Sequence, residues 1–556
     1  MNRFWKNWQS RFSKRNLAPQ HVNNLTDPHE IAETFCQHFA ASSFDSYTDT
    51  HSITQLNDKL LDVPHCNNDF SVSDLEQALN LLKSGKAPGI DGIVKEHIIF
   101  SHPAIIVYLT FLFNIMALHC CVPDCFGVGI IIPIVKDRLG DITQLDNYRG
   151  ITLCPLISKL FEYCILNKYK SHMCSNDLQF GFKKKMGCSH AIFVLQECVE
   201  YFVTQGSNIY LAALDATKAF DRVNHIKLFH RMADTGVPLH VIKLIMNWYA
   251  KIVSVVRWDD CFSSQFITRS GVRQGGVLSP VLFNLYVDRL IESLEASDLG
   301  CHFHGVYVGC LLYADDIILM SASVVNLQKM LDICYTNGCV LDIQFNAKKS
   351  LLFLVGKSYS RLTDGLMLGG DNISWCEKMK YLGIIFKSGK HLMCEFDLFI
   401  RRFYAAANSI YANTRFASEM SKLHLMESFC LPLLSYGCEV LHISTQQLNQ
   451  LNACWNNAYR KVFKMNQWES VKLVQWFCER LDFKHILEHR KLIFVRRLLD
   501  TKNKMLQCCL MHYTKSQDFY RLCSMYSIDI NVCSTKHIKC VVNDDFYRVV
   551  FGVCIN

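Results

Sequence analysis

The tetrapeptide Tyr313-Ala314-Asp315-Asp316 constrains this chain more than any other segment. The apolar run Gly309-Cys310-Leu311-Leu312 precedes it, and Ile317-Ile318-Leu319-Met320 follows. Two apolar stretches divided by a short polar turn predict a β-hairpin with buried strands. Adjacent carboxylates at its tip repel one another, and polar groups near a core are costly unless paired or bound to a cation. A divalent metal would resolve that conflict. An ordinary Asp-containing turn is the plain alternative, and the tetrapeptide alone does not decide between them.

Composition narrows the setting. The 556 residues are half hydrophobic and 12% aromatic, which excludes a disordered chain and leaves room for two to four domains. A net charge of +8 is compatible with a nucleic-acid partner, and equally with a basic enzyme that has none. The 27 cysteines are odd in number and follow no disulfide-framework spacing, so reduced thiols are expected. Cys533, His537 and Cys540 lie close together but without a C-x₂-C pair, which disfavours a zinc knuckle. No secretory signal pattern opens the chain, so a nuclear and/or cytoplasmic protein is expected. Ala104 to Val122 has no formally charged residue and nears the length of a membrane span. Asn114, His119, the following Pro123 and the lack of a polybasic flank favour a buried helix instead.

Residues 1–16 carry five basic residues and place Phe4, Trp5, Trp8 and Phe12 at helical spacing, which predicts an amphipathic helix. A polar stretch over about 42–70 leads to a helix at Val72–Leu82. The loop 83–92, Lys-Ser-Gly-Lys-Ala-Pro-Gly-Ile-Asp-Gly, reads as a plain connection or as a loop whose backbone approaches a nucleic-acid strand. Between about 125 and 390 short strands alternate with helices: Gly129–Val135 and Ile209–Leu214 as strands, Ala219–Asp234 and Leu239–Ala250 as helices. Beyond about 390 the pattern becomes mostly helical.

Asp215 ends the apolar run that starts at Ile209, and a strand-end Asp is often only a helix N-cap. Set beside Asp315 and Asp316, it makes three carboxylates on two adjacent strands, which could chelate two Mg²⁺ ions about 4 Å apart. Between them runs Ser-Gly-Val-Arg-Gln-Gly-Gly-Val-Leu-Ser-Pro (270–280), a loop that permits close backbone approach and opens an apolar helix over 281–294.

The order of these motifs resembles the reverse transcriptase of non-LTR (LINE-type) retrotransposons. Leu-Asp-Ala-Thr-Lys-Ala-Phe-Asp (214–221), Gly-Val-Arg-Gln-Gly-Gly-Val-Leu-Ser-Pro (271–280) and Tyr-Ala-Asp-Asp (313–316) resemble its three palm motifs. Asn-Ala-Lys-Lys-Ser (346–350) resembles the fourth, and Tyr-Leu-Gly-Ile (381–384) the primer grip. Upstream, segments 131–137, 147–153, 179–182 and 86–92 resemble motifs of the fingers and of this group.

The resemblance implies an α/β (α+β) right-hand polymerase with fingers and palm around an antiparallel sheet, then a helical thumb. The expected divisions are an N-terminal linker or helical segment (1–71), an extension of the fingers (72–116), the polymerase domain (117–387), the thumb (388–500) and a tail (501–556). It implies RNA-templated addition of dNTPs to a primer 3′-OH, with RNA template, DNA primer or target and dNTPs as partners, and no membrane. Asp215, Asp315 and Asp316 would bind two Mg²⁺ ions, with Mn²⁺ as a substitute, and Lys349 would act as general acid. Lys136, Arg149, Arg273, Gln274 and Gly275 would contact the nucleotide, and Phe220 would exclude a ribose 2′-OH. Tyr381, Leu382 and Gly383 would hold the primer end, while Arg401, Arg402, Arg460 and Lys461 could track duplex backbone.

Lys136-Asp137 stands where the family often has two basic residues, and Arg149-Gly150 replaces Arg-Pro, which is expected to loosen a turn. Only about 70 residues precede the first motif, so an upstream endonuclease domain is not expected. An RNA-dependent RNA polymerase and a silent RNA-binding relic are the rival readings.

Overall fold

A computed structural model describes residues 21–61, 70–137, 140–360 and 364–551. The helix expected over 1–16 lies outside the described residues. The chain divides into two compact units.

The first unit comprises Met1–Phe182, Ala216–Ser293 and Cys334–Asn346. Its sheet has the order Tyr148–Leu153, Val128–Val135, Val253–Trp258, Cys261–Ile267, with only the central pair parallel. Helix Pro28–Ala40 packs on this sheet. Pro28 presets its first turn and Asp27 caps it by accepting the Glu30 N–H. Phe35 is fully buried, stacked on Trp258 at 5.2 Å and edge-on to Tyr148 at 4.9 Å. Part of the region expected to hold an N-terminal linker or helical segment is therefore core.

A second apolar layer gathers Phe113, Phe126, Phe161 and Trp248 from four segments, with Phe113 and Phe161 rings 4.7 Å apart. Helix Ala104–His119 contributes Phe113 and Met116 to it. The buried helix expected here forms, and it is buried on one side only. Its Val107, Tyr108 and Phe111 are more than half exposed, because the unit covers only one side of a helix that is apolar all round. Among the described residues no helix is long and apolar enough to cross a membrane.

The expected continuous helix over 219–234 is broken. Lys218 takes φ +48° and Val223 is extended, so a short 3₁₀ turn Ala219–Arg222 comes first. Asn224 then caps a new helix, His225–Asp234, by accepting the Lys227 N–H.

The second unit comprises Lys183–Asp215, Leu294–Ile333 and Ala347–Asn556. Strand Ile209–Thr217 runs antiparallel to Leu351–Val355 on one side and Asp316–Ser321 on the other, and the latter pairs with Cys310–Tyr313. Leu211, Ala212, Ile318, Leu319 and Leu311 are fully buried, so burial on both faces explains the continuous apolar runs of this antiparallel sheet. A smaller sheet joins Lys378–Tyr381, Ile384–Lys387 and Met393–Glu395. Helices follow from Asp397–Asn413 to Thr535–Phe551. Every described cysteine is a free thiol.

Candidate active site

In the second unit the predicted hairpin forms, with Tyr313 and Asp316 as its last register pair and Ala314-Asp315 as the connection. Ala314 is buried at φ +58°, a backbone conformation that costs an L-residue about 1–2 kcal/mol. Asp316 is also the register partner of Asp215 on the next strand. Register partners share a face, so Tyr313, Asp316 and Asp215 form one row across three strands. Asp215 and Asp316 are exposed and Asp315 is partly buried. Like charges directly opposite one another destabilise a strand pair, and a divalent cation between them removes the penalty. The carboxylate pair therefore fits a cation. Among the described residues no three His, Cys, Asp or Glu side chains are gathered as a ligand set.

The hairpin is braced from below. The Asp215 N–H donates to Ser350 Oγ at 3.2 Å, which ties the strand end to the segment carrying exposed Lys349. Tyr381 is 4% exposed and its hydroxyl has no hydrogen-bond partner among the described residues. Burial and then the charge of Asp316 push that hydroxyl's pKa up. The turn after it is tight, with Leu382 at φ +45° and Gly383 at φ +83°. Burial, then the neighbouring Cys188 thiol, pushes the Tyr313 hydroxyl up to about 12.

In the first unit the loop 270–280 wraps around a buried carboxylate that sequence reasoning missed. Glu162, on helix Leu156–Tyr169, is 3% exposed. Its Oε1 accepts from Arg273 Nη2 at 3.2 Å, while Oε2 accepts the N–H groups of Val277 and Leu278. Arg273 also donates to the Phe126 carbonyl at 3.1 Å and lies 5.5 Å from the Trp248 ring centre. At 8% exposure its guanidinium is committed within the protein, so the expected nucleotide contact is replaced by a structural one. The signal available in the sequence was weak: Glu162 is the one acidic residue of a helix that also carries Lys159 and Lys168.

Gln274 and Gly275 are stitched to strand Tyr148–Leu153. Thr152 N–H donates to the Gln274 carbonyl at 2.8 Å, and a Cβ on Gly275 would lie 2.3 Å from the Thr152 carbonyl oxygen. Gln274 Nε2 donates to Asp221 Oδ1 at 3.0 Å. Burial pushes the Asp221 carboxyl pKa up, against the Gln274 bond and the positive charges of Lys218 and Lys136. Lys136 is exposed, with its Nζ donating to the Asp146 carbonyl at 2.7 Å, and Arg149 is exposed on the neighbouring strand. Gly150 lies in that strand opposite Pro133, not in a turn, and a Cβ there would press on Ile131 at 2.9 Å.

Phe220 is fixed by two rings: Phe283 stacks on it at 4.1 Å and Phe182 meets it edge-on at 5.8 Å. Beside the loop an open cleft of about 480 Å³ is lined by Lys83, Lys86, Lys95, Lys159, Gly275 and Gly276, so part of the glycine-rich 83–92 loop borders it. Among the candidate duplex-tracking residues, Arg401 and Arg402 are exposed. Arg460 bonds Asn457 and the Glu469 carbonyl, and Lys461 bonds Asn408.

Residues 136–386 match the family described as reverse transcriptase (RNA-dependent DNA polymerase). The chain's similarities lie among non-LTR retrotransposon polymerases. The RNA-directed DNA polymerase from mobile element jockey of Drosophila funebris is 25% identical over 412 residues, covering 70% of this chain and 44% of that protein. The Pol polyprotein of retrotransposable element R2DM from Drosophila melanogaster is 25% identical over 256 residues, covering 45% and 24%. The probable RNA-directed DNA polymerase from transposon X-element of the same species is 31% identical over 265 residues, covering 46% and 28%. The chain thus spans less than half the length of these relatives. A solved structure of apo telomerase from Candida Tropicalis covers 75% of this chain and 69% of that one, at 12% identity and a TM-score of 0.39, too loose to argue from.

Proposed function

We propose that this chain is an RNA-directed DNA polymerase that adds deoxynucleotides to a primer 3′-OH. The observation that carries the reading is the register pair Asp215–Asp316, within a segment that matches the reverse transcriptase family. Asp215, Asp315 and Asp316 would hold Mg²⁺ or Mn²⁺. Such ions, when bound, supply Lewis acidity at the attacking and leaving oxygens of phosphoryl transfer.

The chain's own residues do the positioning. Lys136 and Arg149, both exposed, would meet the triphosphate. Gln274 and Gly275 would present amide and backbone to nucleotide and template, held there by Glu162 and Arg273. The Phe220 ring, packed against Phe182 and Phe283, would leave no room for a 2′-OH. Lys349 would deliver a proton toward the departing pyrophosphate. Residues 117–387 would act as fingers and palm, 388–500 as thumb and 501–556 as tail, working on RNA template, DNA primer and dNTPs in the nucleus and/or cytoplasm.

Primer extension by the purified chain on oligo(dT)-primed poly(rA) with Mg²⁺ tests this. Synthesis with dTTP, lost in Asp315→Asn, is the expected result. A clear preference for rNTPs would point to an RNA polymerase. RNA binding without synthesis would point to a silent relic.

A further inference from the structure

Tyr436 lies outside residues 136–386, yet it contacts the turn assigned to the primer end. The turn joins two strands whose last pair is Tyr381–Ile384, leaving Leu382 and Gly383 to reverse the chain with both φ angles positive. Glycine accepts that conformation and leucine resists it, so an outside tie is needed to keep Leu382 there. Tyr436 Oη donates to the Leu382 carbonyl at 2.9 Å. The same ring closes over Gly383, where a Cβ would approach it to 3.4 Å. Gly437 continues the fit, since a Cβ there would lie 2.8 Å from Ile384 Cδ1.

The segment around Tyr436 is itself clamped. Arg490 donates to Ser435 Oγ at 2.9 Å and to Glu439 Oε2 at 2.8 Å, and Ser189 Oγ donates to the other Glu439 oxygen at 2.6 Å. The turn therefore hangs from a strut fixed at both ends. Tyr436 remains 38% exposed, so its ring is open to a ligand resting on the turn, while the unpartnered Tyr381 hydroxyl lies immediately before it.

We infer that Tyr436 is a positioning residue for the primer terminus, acting through Leu382 and Gly383, with Ser435, Glu439 and Arg490 as its support. The inference rests on the polymerase reading above. Its test is Tyr436→Phe, which keeps the ring and removes the hydroxyl, with its tie to Leu382 and its contact with Cys188. On oligo(dT)-primed poly(rA), KM for the primer–template should rise about fivefold, the effect of one lost hydrogen bond. The kcat and the KM for dTTP should stay within twofold, while Tm falls by no more than about 2–4 °C, the stability of that one bond. Arg490→Gln should raise the same KM. An unchanged primer–template KM in Tyr436→Phe overturns the inference alone. A lowered Tm with kcat and both KM values shifted together also overturns it, because that is a purely structural role. A wild-type chain that neither binds nor extends the primer–template overturns both this inference and the polymerase reading.

Discussion

Replacing Glu162 by Ala should unfold the loop that carries Gln274 and Gly275 before it affects anything else. Glu162 and Arg273 side chains are 4% and 7% exposed, so removing the carboxylate strands a guanidinium away from water. Breaking one partner of a buried pair costs roughly 3–5 kcal/mol. The Val277 and Leu278 N–H groups lose their acceptor at the same time, each a loss of about 1 kcal/mol or more if water does not replace it. The sum, about 5–7 kcal/mol, lowers Tm by about 10 °C for a unit of this size. Glu162→Gln, which still offers a carbonyl oxygen to one N–H, should lose about half as much. The double variant Glu162→Leu with Arg273→Met should recover most of the loss, because apolar groups of similar volume leave no unpaired charge. Thermal melts followed by far-UV circular dichroism measure all three. A Glu162→Ala melt within 2 °C of wild type, or a double variant no better than the single, would refute the argument that desolvated charge sets the cost.

Asp215→Asn should abolish primer extension yet raise Tm by about 1–2 °C in metal-free buffer, since it removes a like-charge cross-strand pair. Added Mg²⁺ should raise Tm of the wild type and not of the variant, read by scanning fluorimetry. Gly275→Ala should cost about 3 kcal/mol in denaturant titration, from a 2.3 Å clash at φ +139°. His225 is fully buried and its Nε2–H donates to the Gly271 carbonyl at 2.8 Å, while Nδ1 has no partner. Burial pushes its pKa down to about 4, against the Gly271 bond. The folded state then binds fewer protons than the unfolded state between about pH 6.5 and 4. This stability is complete above 6.5 and is lost as pH falls, by roughly 3 kcal/mol in all. In His225→Gln that acid limb should flatten, and an unchanged slope would count against the assignment.

The parts of the site written as local pattern were legible in the sequence. Apolar runs around Tyr313-Ala314-Asp315-Asp316 demand the hairpin, and the run ending at Asp215 supplies its neighbour. Partners brought from far along the chain were not. Glu162 reaches Val277 across 115 positions, and Tyr436 reaches Leu382 across 54, and nothing in either local pattern marks those meetings. Arg273 was misread for the same reason: an Arg in a Gly-rich loop looks available until its buried partner is known. The apolar run over 104–122 suggested a buried helix, and composition does not reveal how many sides of it are covered.

The left-handed turn at Ala314 also bears on descent. A buried position at φ +58° admits alanine, glycine or asparagine but resists β-branched and bulky side chains. Copies released from selection would accumulate those excluded residues as freely there as at any surface site. Copies still required to fold would not. Across a set of sibling sequences, the spectrum of residues at this one buried position therefore records whether purifying selection still acts on the hairpin, independently of whether the aspartates beside it survive.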